Sequence, residues 1–231
     1  MKALTTTFKN PLCVALDVAE RRELDRLVDQ LAGQIGLAKV GLTTFSAFGP
    51  SVIGEIAREV PVFVDLKLHD IPMQVGRAAR ALVDAGAALL TVHAAGGSDM
   101  VAAAVKGAGS VPVVGVTILT SLPESQLRSI GFTGTAIDNV ARLARLATGA
   151  GAAGVVCSPL EIAAVRNAVG EDPLIVTPGI RAGNAESHDQ ARTMDARSAL
   201  QSGADVVVVG RPITQAADPA GAAAQLLQEI G

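Results

Sequence analysis

The chain has 231 residues, of which 49% are hydrophobic, 18% are charged and only 2% are aromatic, with neither Trp nor Tyr. This length fits one large domain or two small ones, and the hydrophobic share provides a sizeable core of aliphatic side chains. The formal net charge of −3 gives no electrostatic reason to expect nucleic-acid binding, and five Phe offer few surfaces for base stacking.

The cysteines, the N-terminus and the hydrophobic runs predict a cytoplasmic protein without a membrane segment. Cys13 and Cys157 lie in apolar, strand-like runs, where reduced and buried thiols are the usual interpretation. The first ten residues lack the long apolar segment of a secretory signal. The run that comes nearest to a membrane span, Val101–Leu119, is interrupted by Lys106, by three Gly and by Pro112.

Eight short apolar runs alternate with stretches rich in Ala, Leu and Arg. Most of the runs are apolar throughout, as strands that are buried on both faces require. The predicted strands are Leu12–Leu16, Leu37–Val40, Val60–Val64, Ala88–Val92, Val111–Val116, Gly154–Cys157, Leu174–Val176 and Asp205–Val209. The predicted helices are Ala19–Ala32, Ser51–Glu59, Gln74–Ala85, Asp99–Gly107, Ile137–Ala150, Leu160–Val169, Asp195–Ser202 and a last one from about Pro219 to Ile230.

This order of elements predicts an α/β protein with a single (β/α)8 TIM barrel domain over residues 1–231. No linker and no shift in composition divides the chain. The main alternative is an open doubly wound sheet, which would favour a Gly-x-Gly-x-x-Gly turn after the first strand. That position reads Leu16-Asp-Val-Ala19 and has no glycine. The longest irregular stretch, from Thr177 to about Asp195, is long enough for a mobile lid.

Polar and charged residues follow the carboxyl ends of the predicted strands, whereas the opposite ends carry mostly Gly, Ala, Pro and Val. In chain order they are Asp17, Lys39, Asp65, Lys67, His93, Thr117, Thr120, Ser121, Ser158, Arg181 and Arg211. Because active sites of TIM barrels lie at the carboxyl ends of the strands, we predict the site at this rim.

The segment Asp65-Leu-Lys-Leu-His-Asp70 places two carboxylates and a lysine where a buried strand ends. Charges at such a place are costly unless they pair with one another or meet a ligand. Asp65 and Lys67 point to the same face while the chain is extended. A lysine among carboxylates stays protonated and can donate its proton to a developing carbanion. A purely structural network of ion pairs is the alternative.

The last predicted strand leads into Gly210-Arg211-Pro212, a pattern typical of phosphate binding. Glycine lets backbone N–H groups approach an anion, and an arginine adds bidentate hydrogen bonds. The position after the last strand is also the usual phosphate site of this fold. An arginine that merely covers a strand end in solvent is the alternative.

Taken together, these motifs resemble the orotidine 5′-phosphate decarboxylase family over nearly the whole chain. The matching segments are Val14–Asp17, Lys39–Gly41, Phe63–Pro72, Thr91–His93, Gly115–Ser121, Val176–Arg181, Asp189–Gln190 and Val209–Pro212. The resemblance implies decarboxylation of orotidine 5′-monophosphate to uridine 5′-monophosphate and CO2, in de novo pyrimidine biosynthesis and without a cofactor.

The resemblance also implies catalytic roles for four residues. Lys67 would donate the proton to C6 of the pyrimidine, and Asp65 would face the substrate carboxylate. Lys39 would orient Asp65 and reach the ribose. Asp70 would reach into the site of the neighbouring subunit, which implies a homodimer.

Substrate-binding roles follow from the same resemblance. It implies a ribose contact for Asp17, pyrimidine contacts for Thr120 and Ser121, and phosphate contacts for Gln190, Gly210 and Arg211, with Arg181 at the base of the lid. Ile71 and Pro178 are further substrate-binding candidates. The chain departs from the family at Met73-Gln74, where a pair such as Asn-Thr is usual, and Gln74 can still form a hydrogen bond to the ribose.

Two other functions are compatible with these motifs. A group of magnesium-dependent phosphosugar aldolases and decarboxylases shares the Asp-x-Lys-x-x-Asp motif, and a barrel that binds a nucleotide without chemistry would keep the same residues. The sequence itself disfavours a metal site, because the three histidines, His69, His93 and His188, are dispersed. His93 and His69 are therefore interpreted as structural residues.

Overall fold

Strands that are apolar on both faces need cover on both sides, and the chain achieves this by closing its sheet into a barrel. The computed structural model describes residues 9–181 and 194–230. Its strands are β1 (Leu12–Ala15), β2 (Leu37–Val40), β3 (Val62–Leu68), β4 (Ala87–His93), β5 (Val113–Val116), β6 (Gly154–Val156), β7 (Leu174–Thr177), β8 (Ile180–Arg181), β9 (Met194–Asp195) and β10 (Val206–Val209). The closed order is β1-β10-β7-β6-β5-β4-β3-β2, and β8 pairs with β9 separately.

The predicted (β/α)8 barrel is confirmed, and the open sheet is excluded, because β1 pairs in parallel with both β2 and β10. The helices are α1 (Arg21–Leu31), α2 (Leu42–Phe48), α3 (Ser51–Ile56), α4 (Pro72–Asp84), α5 (Ser98–Ala108), α6 (Glu124–Ser129), α7 (Ala136–Gly149), α8 (Ile162–Val169), α9 (Ala196–Gln201), α10 (Arg211–Thr214) and α11 (Pro219–Ile230). No helix in the described part of the chain is long and apolar enough to cross a membrane.

Two of these helices, α2 and α6, were not predicted. They contain seven and six residues, and neither lies in a stretch rich in Ala, Leu and Arg. The long helices were recognised because each buries one apolar stripe against the barrel, as α1 does with Leu24, Leu27, Val28 and Leu31.

The hydrophobic core has two layers, one inside the barrel and one between the barrel and the helices. The inner layer consists of Cys13, Ala15, Leu37, Phe63, Leu89, Val114, Leu174, Val176, Val206 and Val208. Their neighbours in the strands, such as Val14, Val64 and Val207, belong to the outer layer. Burial of a side chain such as Phe63, which is 1% exposed, stabilises the fold by roughly 1.5–3 kcal/mol.

The alternation of the strands also determines which side chains enter the site. Lys39 follows Leu37, Asp65 follows Phe63 and Thr91 follows Leu89, each two residues farther along its strand. Each therefore points into the barrel one layer above the core, toward the carboxyl rim.

The amino-terminal end of the barrel is held by a buried ion pair. Nη2 of Arg166 lies 2.6 Å from Oδ2 of Asp205, and the guanidinium also donates to the carbonyls of Gly203 and Pro173. Asp205 in turn accepts a hydrogen bond from the N–H of Ile175. This network joins α8 to the starts of β7 and β10, far from the rim where the site was predicted.

Candidate active site

A chain of alternating charges lies at the carboxyl rim of β1, β2 and β3. Nζ of Lys39 lies 3.2 Å from Oδ1 of Asp17 and 3.7 Å from Oδ2 of Asp65. Nζ of Lys67 lies 2.9 Å and 2.8 Å from the two carboxylate oxygens of Asp65. The structure thus brings together four residues that the sequence analysis selected, in the order Asp17, Lys39, Asp65, Lys67.

These four charged side chains differ in burial. The side chains of Lys39 and Asp65 are 10% and 13% exposed, whereas those of Lys67 and Asp17 are 30% and 48% exposed. The inner pair is therefore largely shielded from water, and the outer two residues face the open end of the barrel. Interactions between shielded charges are stronger than those between exposed charges.

The charges hold the buried pair ionised. Burial alone would lower the pKa of Lys39, but the carboxylates of Asp65 and Asp17 outweigh it and raise the pKa above its ordinary value. Burial would likewise raise the pKa of Asp65, but the ammonium groups of Lys39 and Lys67 outweigh it and lower the pKa. A cation and an anion are therefore both present at neutral pH.

Lys67 lies on an irregular part of β3. The pairing of β3 with β4 advances from Val64 opposite Leu90 to Leu68 opposite Val92, so β3 uses four residues where β4 uses two. Within this bulge Lys67 has φ of +51°, the only positive φ of a non-glycine residue in the described ranges. Such a conformation costs about 1–3 kcal/mol and is common at functional sites.

Two buried threonines were missed by the sequence analysis. Thr91 accepts a hydrogen bond from the N–H of Lys67 and donates one to Oδ1 of Asp65. Thr44, on α2, accepts a hydrogen bond from the N–H of Val18, and its hydroxyl lies within hydrogen-bonding distance of the carbonyl oxygens of Leu16 and Val18, on either side of Asp17. The place of Thr91 at the site could have been predicted from the sequence, because it lies two residues before His93 and therefore on the same inward face of β4.

Gly41 leaves room for the charges of β1 and β2. A Cβ at this position would lie 2.5 Å from Oδ1 of Asp17 and 3.0 Å from Nζ of Lys39. Any larger residue would displace one of these groups. The glycine in the Lys39-Val-Gly41 segment is thus explained by close approach of the site.

Asp70, Ile71 and Gln74 lie together at the start of α4 and are exposed. Oδ1 of Asp70 accepts a hydrogen bond from the N–H of Ile71 at 2.6 Å. In the part of the chain that the structure describes, no ion pair joins Asp70 to Lys67, and the ammonium group of Lys67 pairs with Asp65 there. Whether Asp70 reaches a second subunit stays a prediction.

The other predicted binding residues lie around the same rim. Gly210 follows β10, and the exposed Arg211 begins α10. Thr120 and Ser121 lie in the turn after β5, and Pro178 lies between β7 and β8. Arg181 ends β8, but its side chain, like Gln190 and most of the predicted lid, lies outside the described residues.

The histidines His69 and His93 lie beside the lysine, with ring centroids 5.3 Å apart and planes tilted by 42°. Burial, the neighbouring His69 and the Lys67 ammonium together lower the pKa of His93. Among the described residues, no three His, Cys, Asp or Glu side chains are grouped as metal ligands. The carboxylates of the site instead contact lysines.

Comparisons with known proteins agree with this geometry. Residues 10–226 match the model of the family described as "Orotidine 5'-phosphate decarboxylase / HUMPS family". The orotidine 5′-phosphate decarboxylase of Anaeromyxobacter sp. (strain K) is 53% identical over 214 residues, which are 92% of this chain and 94% of that protein. The enzyme of the same name from Thermobifida fusca is 48% identical over 222 residues, 95% of each chain.

Solved structures show the same fold. The crystal structure of orotidine 5′-phosphate decarboxylase from Lactobacillus acidophilus superposes with a TM-score of 0.86 at 36% identity and covers 96% of this chain and 99% of that one. A family model over nearly the whole chain and relatives at about half identity leave one assignment: the chain belongs to the orotidine 5′-phosphate decarboxylase / HUMPS family.

Proposed function

We propose how this chain decarboxylates orotidine 5′-monophosphate, a carboxy-lyase reaction of pyrimidine biosynthesis. The observation that carries the proposal is the contact of the Lys67 ammonium with both oxygens of Asp65, at 2.9 Å and 2.8 Å. This contact places a protonated amine at the open end of the barrel and limits the directions in which it can point.

The chemistry needs a cation near one carbon atom. When the bond between C6 and the carboxylate breaks, CO2 leaves and its bonding electron pair remains on C6. A positive charge about 4 Å away stabilises a negative charge by about 4 kcal/mol at an effective dielectric constant of 20. Lys67 supplies this charge and then transfers its proton to C6, which gives uridine 5′-monophosphate.

Asp65 has two functions in this mechanism. It holds the Lys67 ammonium before the substrate arrives, so that little reorganisation is needed during the reaction. Its charge also faces the substrate carboxylate, and this repulsion is relieved as neutral CO2 departs. Lys39, between Asp65 and Asp17, keeps both carboxylates in place, and Asp17 accepts a hydrogen bond from the ribose.

The remaining substrate contacts lie around the rim. Gly210 and Arg211 bind the phosphate together with Gln190 and Arg181, while Thr120, Ser121 and Pro178 contact the base. Phosphate binding is remote from the bond that breaks, yet its energy can fix the geometry of the reacting end. Both turnover and affinity therefore depend on the contacts to the phosphate.

The active form is a homodimer in which Asp70 of one subunit enters the site of the other. Two observations support this proposal. Asp70 is exposed and is not paired with Lys67 within the described part of its own chain. Beside it, Ile71 and Met73 are 58% and 54% exposed, which is typical of residues that contact a partner. Gln74, one residue farther along α4, then reaches the ribose of the neighbouring site.

The protein acts in the cytoplasm. Cys13 and Cys157 are both free and buried, and burial raises the pKa of each thiol. Free thiols are typical of a reducing compartment.

A single assay tests the mechanism. The decrease in orotidine 5′-monophosphate absorbance is followed for the wild type and for Lys67→Ala, with a chelator present. Because the chain has neither Trp nor Tyr, its own absorbance interferes little. We expect full wild-type turnover with chelator and none for Lys67→Ala, which should keep its circular dichroism spectrum. Turnover by Lys67→Ala would refute the role of the lysine, and inhibition by the chelator would favour the magnesium-dependent aldolases.

A further inference from the structure

We propose that Thr91 is a positioning residue for the decarboxylation, whose hydroxyl group holds both the Asp65 carboxylate and the backbone of Lys67. The inference rests on the proposed roles of Asp65 and Lys67. Thr91 would not contact the substrate, because it is only 1% exposed beneath the charged residues.

The contacts of Thr91 join the two halves of the predicted catalytic pair. Its Oγ1 accepts the N–H of Lys67 at 2.9 Å and donates to Oδ1 of Asp65 at 3.0 Å. A hydroxyl group can do both at once because it carries one donor and two acceptor sites. Replacement by an apolar group of the same shape would remove both contacts together.

The first contact supports an unusual backbone conformation. The ladder between β3 and β4 is interrupted between Val64 and Leu68, and the N–H of Lys67 is bonded to the Thr91 side chain. The positive φ of Lys67 is unfavourable for a residue with a Cβ, so its surroundings must maintain it. The bond from Thr91 is one interaction that does so.

The second contact determines the rotation of the Asp65 carboxylate. Oδ1 contacts both Thr91 Oγ1 and Lys67 Nζ, whereas Oδ2 contacts Lys67 Nζ at 2.8 Å and faces Lys39 Nζ at 3.7 Å. The hydrogen bond from Thr91 also contributes to the lowered pKa of Asp65. Without it, the carboxylate could turn and the Lys67 ammonium would follow.

Thr91→Val tests this inference because it removes the hydroxyl group and preserves the shape. We expect kcat to fall about 10- to 100-fold, as for the loss of hydrogen bonds to a charged group, while KM changes less than about threefold because the substrate contacts remain. The acidic limb of the kcat profile should move to higher pH, because the Asp65 carboxylate has lost a donor. Thr91→Ser, which keeps the hydroxyl group, should retain most of kcat and the wild-type profile.

Two further variants complete the experiment. Thr148→Val removes a hydroxyl group that donates to the carbonyl of Ala144 at 2.9 Å on α7, and it should leave kcat unchanged. If Thr91→Val does not fold, the inference is tested by comparing kcat of Thr91→Ser with kcat of Thr91→Cys. The two side chains are nearly isosteric, but only serine forms strong hydrogen bonds. We then expect kcat of the cysteine variant to be at least about tenfold lower.

The inference would be wrong if Thr91→Val kept kcat within about twofold of wild type, if its loss lay in KM alone, or if serine failed to restore kcat. A folded Thr91→Val with low kcat and an unshifted pH profile would also oppose it, because that result indicates a general packing role. These outcomes leave the proposed function intact, because that function is tested separately by the turnover of the wild type with chelator and of Lys67→Ala.

Discussion

Replacement of Asp65 by Asn should destabilise the protein, although the side chain keeps its size. Asp65 is the anion between two cations, with Nζ of Lys67 at 2.8 Å and Nζ of Lys39 at 3.7 Å from Oδ2. Without its charge the two ammonium groups repel each other, and Lys39 retains only the more exposed Asp17.

The magnitude follows from the burial of the three groups. Removal of one partner from a buried ion pair typically costs about 3–5 kcal/mol. We expect a somewhat smaller loss of stability here. Lys67 is 30% exposed and can regain some solvation, and the Asn amide oxygen can still accept a hydrogen bond. We therefore expect a loss of about 2–4 kcal/mol in the free energy of unfolding.

Urea unfolding at neutral pH measures this loss, and the exposed pair of Arg21 and Asp25 provides the control. That pair is also 2.8 Å apart, but its side chains are 52% and 54% exposed. Asp25→Asn should cost less than about 0.5 kcal/mol because solvent screens the pair. Equal effects of the two substitutions, or a more stable Asp65→Asn, would refute the reasoning from burial.

Two further predictions concern the phosphate site and pH. Arg211→Ala should lower kcat/KM by at least about 100-fold with an unchanged thermal transition, since the residue is exposed and would act on the substrate; unchanged kcat/KM would remove it from the site. The stability that the two buried charges contribute should be fully present between their ordinary pKa values of 3.8 and 10.5: the lowered pKa of Asp65 contributes stability that is lost as pH falls through it, and the raised pKa of Lys39 contributes stability that is lost as pH rises through it. The lowered pKa of His93 adds a decline in stability below pH 6.5, because this histidine takes up a proton more readily in the unfolded chain. Urea unfolding midpoints measured on both sides of pH 6.5 should show this decline in the wild type but not in His93→Gln.

Much of the fold was accessible from the sequence because strands and long helices leave periodic patterns. All eight barrel strands were predicted, but β3 was ended at Val64 and continues to Leu68. The prediction stopped there because Asp65 and Lys67 look like the end of a buried run. In the structure these charges face the interior, where they pair with each other, so the strand can continue.

The site, like the fold, was only partly accessible from the sequence. The amino-acid sequence by itself determined the barrel, its carboxyl rim and the charged residues there, because the alternation of strands with helices and the spacing of the motifs are visible along the chain. Only the tertiary structure decided that Lys39 lies between Asp17 and Asp65, that Lys67 occupies a bulge with positive φ, and that Thr91 joins it to Asp65. These contacts link residues 22 to 26 positions apart, and their geometry depends on the register between neighbouring strands, since a shift of one residue would turn these side chains to the opposite face.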